Sequence, residues 1–274
     1  MKKSIINAAL LIFVVLVVAL SIWGPEALAV YKDRSVLNRI QVQEEEGEGE
    51  GYRYQLSSNE KLYILSQCLN SQVIPESEQS ALTRDTGVDY QDLTGTYAFV
   101  VNKKGPSGKE ITDEEIYTAC NQGLDALKEL EILPEGIREV KAASYDATMY
   151  SAIDVPEPRN NVAVWKISLS NSHQNANKEN RLLDAYIDAD NGKIYEFYVR
   201  TQLKWEDIDT DAMIEKWAAY MELSRPEEYI TDNPLLETTP YYKKYAFSGM
   251  GDERTIVTIG FYEGINELFL KISK

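Results

Sequence analysis

An uncharged, strongly apolar segment occupies residues 4–23 (SIINAALLIFVVLVVALSIW) and determines where the rest of the chain is expected to be located. As a helix it would be about 30 Å long, the thickness of the hydrocarbon core of a bilayer. Lys2 and Lys3 precede it and favour a cytoplasmic N-terminus. We therefore expect a single transmembrane helix at 4–23 in the cell membrane, with residues 1–3 cytoplasmic and the remainder extracytoplasmic.

A cleaved signal peptide is the alternative for the same segment. Ala27-Leu28-Ala29 has the small-residue pattern of a cleavage site, and it follows a basic and then an apolar region. The apolar run from Ile5 to Ile22 is longer than the usual 7–15 residues of a signal peptide, which favours a retained anchor. Both alternatives export the rest of the chain.

The charge and the cysteines limit the partners and the covalent structure. A formal net charge of −16 disfavours nucleic acid as a partner and is typical of a solubilising surface. Cys68 and Cys120 are the two cysteines. A disulfide between them would stabilise the fold by roughly 3–4 kcal/mol in the chain-entropy model. Each also falls on the apolar face of a predicted helix, which favours two small core residues instead.

Composition and periodicity divide the exported part. Residues 24–57 form a juxtamembrane segment and a linker that contains EEEGEGEG from Glu44, which has no apolar group to bury. Two regions follow, 58–200 and 201–274, each with helical and then strand-like periodicity. We predict helices at 58–70 and 112–131 and one opening at 207–211. Strands are predicted at 96–102, 137–150, 162–169, 181–188, 193–199, 241–247, 254–262 and 267–272.

A β-hairpin is predicted where two alternating runs flank Asp190-Asn191-Gly192. Leu183, Ala185 and Ile187 alternate with polar residues before the turn, and the alternation resumes from Ile194. Asn-Gly is the preferred pair of a type I′ turn, because both central positions need a positive φ. The sequence therefore predicts a tight hairpin at this point.

This hairpin and the helix before it resemble a PepSY domain over roughly residues 110–200. The resemblance rests mainly on Ile187-Asp188-Ala189 followed by a turn and by Lys193-Ile194. The order of parts is also similar to membrane-anchored extracytoplasmic regulators of cell-wall sensor kinases in Gram-positive bacteria. The resemblance implies regulation by contact with a protein or peptide, and it carries over no catalytic residue.

The predicted fold is α+β, with an N-terminal transmembrane helix followed by two helix-plus-antiparallel-sheet modules, the first of them PepSY-like. The predicted function is that of a non-enzymatic, membrane-anchored regulatory or interaction protein of the bacterial cell envelope, which binds a protein or peptide. A structural subunit of an envelope assembly is the alternative, and an enzyme is the third possibility. No cofactor, metal or small-molecule substrate is indicated.

Candidate catalytic and metal-binding residues have simpler explanations. His173, the single histidine, lies in a polar loop without a recognisable nucleophile motif. Asp188, Asp190 and Asn191 do not have the Gly and Glu spacing of an EF-hand loop, so a turn explains them better. The acidic clusters that begin at Asp113 and Glu206 precede helices, where the helix dipole favours negative charge.

Tyrosine is the one compositional feature that indicates a binding surface, with eighteen residues in the chain. Aromatic residues are enriched in recognition surfaces, and sheet edges accept peptide strands. They also suit any half-exposed strand. The candidate partner-binding residues are Tyr195, Tyr198, Tyr241, Tyr242, Tyr245 and Tyr262.

Overall fold

The computed structural model describes residues 53–71, 96–108, 110–170, 179–231 and 237–273. The predicted membrane segment, the acidic run from Glu44 and His173 lie outside these residues. In the described ranges, no helix is both long enough and apolar enough to cross a bilayer. The helices are α1 (Ser58–Ser71), α2 (Ile116–Glu129) and α3 (Thr210–Met221). The strands are β1 (Tyr97–Val101), β2 (Tyr145–Asp154), β3 (Asn161–Leu169), β4 (Arg181–Asp188), β5 (Ile194–Arg200), β6 (Glu227–Glu228), β7 (Tyr242–Ser248), β8 (Arg254–Tyr262) and β9 (Glu267–Ser273).

Local signals place the starts of α2 and α3. The Glu115 carboxylate accepts hydrogen bonds from the Thr112 amide and hydroxyl at 3.2 and 2.8 Å, which is half of the predicted capping box. The helix itself starts at Ile116, one turn later than predicted. Asp209 caps α3 by accepting a bond from the Ala212 amide at 3.0 Å. Side-chain capping is therefore observed at the start of α3, whereas α2 starts without a side-chain cap bond from its own N-cap residue.

The strand predicted from residue 137 begins only at Tyr145. Residues 137–144 form an irregular segment, in which the Asn121 side chain of α2 takes the place of a neighbouring strand at Val140. Its amide donates to the Val140 carbonyl at 2.9 Å, and its oxygen accepts from the Val140 amide at 2.7 Å. These two bonds satisfy the N–H and C=O groups of Val140, which a neighbouring strand would otherwise have paired.

The prediction of two successive helix-plus-antiparallel-sheet modules is wrong. The nine strands of the described residues form one antiparallel sheet in the order β1-β2-β3-β4-β5-β9-β8-β7-β6. The two predicted halves join where β5 pairs with β9, with Phe197 opposite Leu270 and Arg200 opposite Glu267. Two separate sheets would each have an unpaired edge at this point, and joining them satisfies those backbone groups.

One hydrophobic core contains residues of β2 to β5, of β7 to β9 and of the three helices. Helix α1 is the most deeply buried, because every residue from Leu62 to Cys68 is buried. It contacts β1, β2 and β3 from one half of the sheet and β8 and β9 from the other. A helix that is buried on every side belongs to the interior of a single folding unit.

The predicted hairpin of β4 and β5 is confirmed, but its turn is not type I′. Residues 189–193 separate the strands, and only Gly192 among them has a positive φ, at 75°. The Gly192 amide donates to the Asp188 carbonyl at 2.9 Å. The Asp188 and Asn191 side chains accept bonds from the amides of Asp190 and Lys193, at 2.8 and 2.9 Å. These local side-chain bonds stabilise a wider turn than Asn-Gly alone predicts.

Candidate interaction surface

The strand register aligns one row of side chains across seven strands of the sheet. Directly paired residues of antiparallel strands project from the same face. Following the pairs from β7 to β2 gives Tyr242, Gly260, Phe269, Tyr198, Asp184, Ser168 and Asp146. We call this set the cross-sheet row. Helix α3 packs on the opposite face, because Trp217 meets Phe247 in an edge-to-face contact at 5.9 Å.

Aromatic rings form one half of the cross-sheet row. The Phe269 ring lies over Gly260, where an added Cβ would be 2.3 Å from the ring atom Cζ. The same ring stacks on Tyr198 with a centroid distance of 5.8 Å and on Tyr262 with 4.9 Å. Phe269 is buried, whereas both tyrosines are half-exposed. The glycine therefore provides the space that keeps three rings in contact on this face.

Polar groups form the other half and line an open cleft of about 580 Å³. Ser168 donates a hydrogen bond to Asp184 at 2.7 Å, and the Lys166 ammonium is 3.4 Å from the same carboxylate. Burial raises the pKa of Asp184, and Lys166 partly offsets this effect. The residues that line the cleft all belong to strands: Asp146, Thr148, Tyr150, Lys166, Ser168, Leu169, Leu183, Asp184, Tyr198 and Glu267.

A buried carboxylate lies next to the row. Glu196 accepts a hydrogen bond from the Ile272 amide at 2.9 Å, at the point where β9 extends beyond its pairing with β5. Burial raises the pKa of Glu196 to about 7, which the Ile272 amide, Tyr198 and Lys271 only partly oppose. A carboxylate in this position therefore changes charge near neutral pH.

The structure divides the six predicted tyrosines between different environments. Tyr198 and Tyr262 both stack on Phe269. Tyr242 lies in the same cross-sheet row as Phe269, two strands away from it. Tyr195 is buried and donates to Asp188 at 2.8 Å, and Tyr245 is buried and donates to Asp211 at 2.9 Å. Tyr241 lies 6.2 Å from the Trp205 ring and is half-exposed. Three of the six therefore belong to the candidate surface.

Sequence reasoning missed Phe269, Gly260 and Asp184. Alternation in β9 separates Glu267, Phe269 and Lys271 from the core residues on the other face, so Phe269 could have been placed among polar neighbours. The contact with Gly260 had no sequence signal. It depends on the pairing of β8 with β9.

The carboxylates of Asp188 and Asp190 in the hairpin turn form ion pairs with α1. The Lys61 ammonium is 3.1 Å from Asp188 and 2.6 Å from Asp190. Burial lowers the pKa of Lys61, but the two carboxylates more than offset this and raise it above its usual 10.5. These two carboxylates thus hold α1 on the hairpin.

Both cysteines are buried thiols and not a disulfide. Cys68 donates to the carbonyl oxygen of Ala98 at 3.3 Å. Burial raises the pKa of both thiols to about 12. Their positions are those of small core residues.

No family model, curated protein or solved structure matches this chain. The PepSY resemblance therefore stays a prediction, and the function has to be inferred from the surface itself.

Proposed function

We propose that this protein is a non-enzymatic, membrane-anchored binding protein of the bacterial cell envelope, and that its partner is a protein or peptide held on the cross-sheet row. The observation that most supports this is the row itself, in which stacked rings adjoin a polar cleft whose described lining residues belong to strands. The apolar segment at 4–23 supports the envelope location.

The chemistry of the row suits recognition of a polypeptide. Half-exposed tyrosines offer apolar area together with a hydroxyl, and such side chains are enriched at protein interfaces. In the cleft, Asp184 is held by Ser168 and Lys166. These polar groups are fixed in place, so they can orient a partner without being reorganised. The resemblance to regulators that act by contact agrees with this role.

Photocrosslinking in the native membrane tests the proposal with the full-length chain. A benzoylphenylalanine probe replaces Tyr262, which is half-exposed and next to Phe269. We expect one crosslinked adduct with a distinct protein. Gly260→Ala should abolish the adduct, because its Cβ displaces the Phe269 ring. Gly264→Ala is the matched control, since nothing lies within 4 Å of its added Cβ.

Three results would contradict the proposal. One is an equal adduct in the Gly260→Ala and Gly264→Ala proteins, and a second is the absence of any adduct. A ladder that contains only this protein would favour the assembly subunit instead. Overpacking at Gly260 costs about 1–3 kcal/mol, so a Tyr198→Ala protein serves as a second variant in case Gly260→Ala fails to fold.

A further inference from the structure

A second cleft, separate from the cross-sheet row, has a cationic lining in this acidic chain. Its volume is about 480 Å³, and Arg138, Lys141 and Arg181 are three of its seven lining residues. The chain contains 28 Lys and Arg residues and 44 Asp and Glu residues, so an excess of positive charge in this cleft is opposite to the overall charge of the protein. The other lining residues are Ile137, Glu139, Ser144 and Tyr145.

Arg181 has a hydrogen-bonding group without an acceptor. Its Nε atom is buried and has no hydrogen-bond partner in the described part of the chain. No carboxylate of the described residues forms an ion pair with Arg181 or Arg138. A buried donor that lacks an acceptor costs about 1–3 kcal/mol, and more for a charged group. Both guanidinium groups therefore lack a counter-charge among the described residues, and neither side chain is fully buried.

A second arginine increases the positive charge at the start of β4. Arg181 lies directly opposite Arg200 of β5, and like charges in this arrangement repel each other. The Nε atom of Arg200 is also buried without a partner in the described residues. Glu267, opposite Arg200 on β9, offsets part of this repulsion, and an anion near Arg181 would reduce it further.

The cleft is held open by bonds that do not depend on a ligand. The Asn121 side chain fixes Val140, and the Arg138 amide donates to the Asn180 carbonyl at 3.0 Å. Ile137 and Tyr145 are buried and form the apolar part of the lining. The Tyr145 hydroxyl already donates to the Leu182 carbonyl at 2.9 Å. Ionic contacts are stronger beside apolar groups than in bulk water.

We propose that this cleft binds an oxyanion, a phosphate or a carboxylate group, through the guanidinium groups of Arg181 and Arg138, with the ammonium of Lys141 at its rim. A planar guanidinium presents two parallel N–H donors to either group. Glu139 lies 4.0 Å from Lys141, so its carboxylate is directed to that ammonium. The site shares no residue with the cross-sheet row, so it stands independently of the proposed partner surface.

Thermal unfolding of the full-length chain in detergent tests the site. Sodium phosphate and sodium acetate are each compared with sodium chloride at equal ionic strength. We expect a concentration-dependent rise in Tm with one or both oxyanions. A rise with phosphate alone indicates a phosphate ligand, and a rise with both indicates that a carboxylate also binds. Either result supports the site.

Matched variants separate binding from general salt effects. Arg181→Gln should weaken the apparent affinity about tenfold or more, because a charge-assisted pair of bonds is lost. Arg138→Gln, at an exposed position, gives the same test without risk to folding. Arg254→Gln is the control and should behave as wild type. The absence of any rise in Tm, or a rise that survives in both cleft variants, would overturn the proposal.

Discussion

Replacing Glu196 by Gln should make the protein more stable at pH 8 and leave it nearly unchanged at pH 4.5. Burial raises the pKa of this carboxyl from an ordinary 4.5 to about 7. Because the native pKa is above the unfolded one, the native state favours the protonated form. The contribution of Glu196 to the free energy of unfolding is therefore fully present below pH 4.5 and is lost as the pH rises through 7.

The magnitude follows from the two pKa values. At 1.36 kcal/mol for each pKa unit, ionisation of Glu196 costs the native wild-type protein about 3 kcal/mol at pH 8. Gln keeps an oxygen that accepts the Ile272 amide bond, and it removes the charge. The free energy of unfolding of Glu196→Gln should exceed that of wild type by about this amount at pH 8.

Urea unfolding followed by tryptophan fluorescence measures the difference between pH 4.5 and pH 8. Other titrating groups cancel in the comparison with wild type, and Glu215→Gln at an exposed position of α3 controls for loss of a surface charge. We expect the difference to grow between pH 4.5 and 7 and then level off. If Glu196→Gln and wild type differed in free energy of unfolding by the same amount at pH 4.5 and at pH 8, the argument that burial raises the pKa of Glu196 would be refuted.

Two further predictions concern the interior. Lys61→Met leaves the Asp188 carboxylate, which is 1 % exposed, without its cationic partner and should lower the free energy of unfolding by about 3 kcal/mol. Lys216→Met removes an exposed ion pair and should leave the urea midpoint nearly unchanged. If the two substitutions lowered the free energy of unfolding equally, Lys61 would not form an ion pair in a buried site. Cys68 and Cys120 should resist iodoacetamide in the native protein at pH 8, because burial raises the pKa of both thiols to about 12, and both should react in urea. Mass spectrometry of the labelled protein checks this, and rapid labelling of the native chain would contradict it.

Most helices and strands could be predicted because their signals are local. Asp209 caps α3 within one turn of the helix start, and the bond between Thr112 and Glu115 lies just before α2. The β4–β5 hairpin joins strands that are adjacent in sequence, so alternation on both sides of a turn was sufficient. The strand predicted from residue 137 was wrong up to residue 144. There the backbone of Val140 bonds to the side chain of Asn121, 19 residues earlier, and this contact has no local signal in the sequence.

The sequence by itself determined the apolar segment at 4–23, the acidic composition and the existence of most elements, since each depends on residues that are close together in the chain. Only the tertiary structure decided that β5 pairs with β9, because any strand edge offers the same backbone donors and acceptors. That pairing merged two expected modules into one sheet. It also brought Tyr198 beside Phe269, 71 residues later in the sequence, and so created the candidate surface. Long-range pairing of this kind leaves no periodic trace in a single sequence, because the energy that selects it comes from packing the whole core.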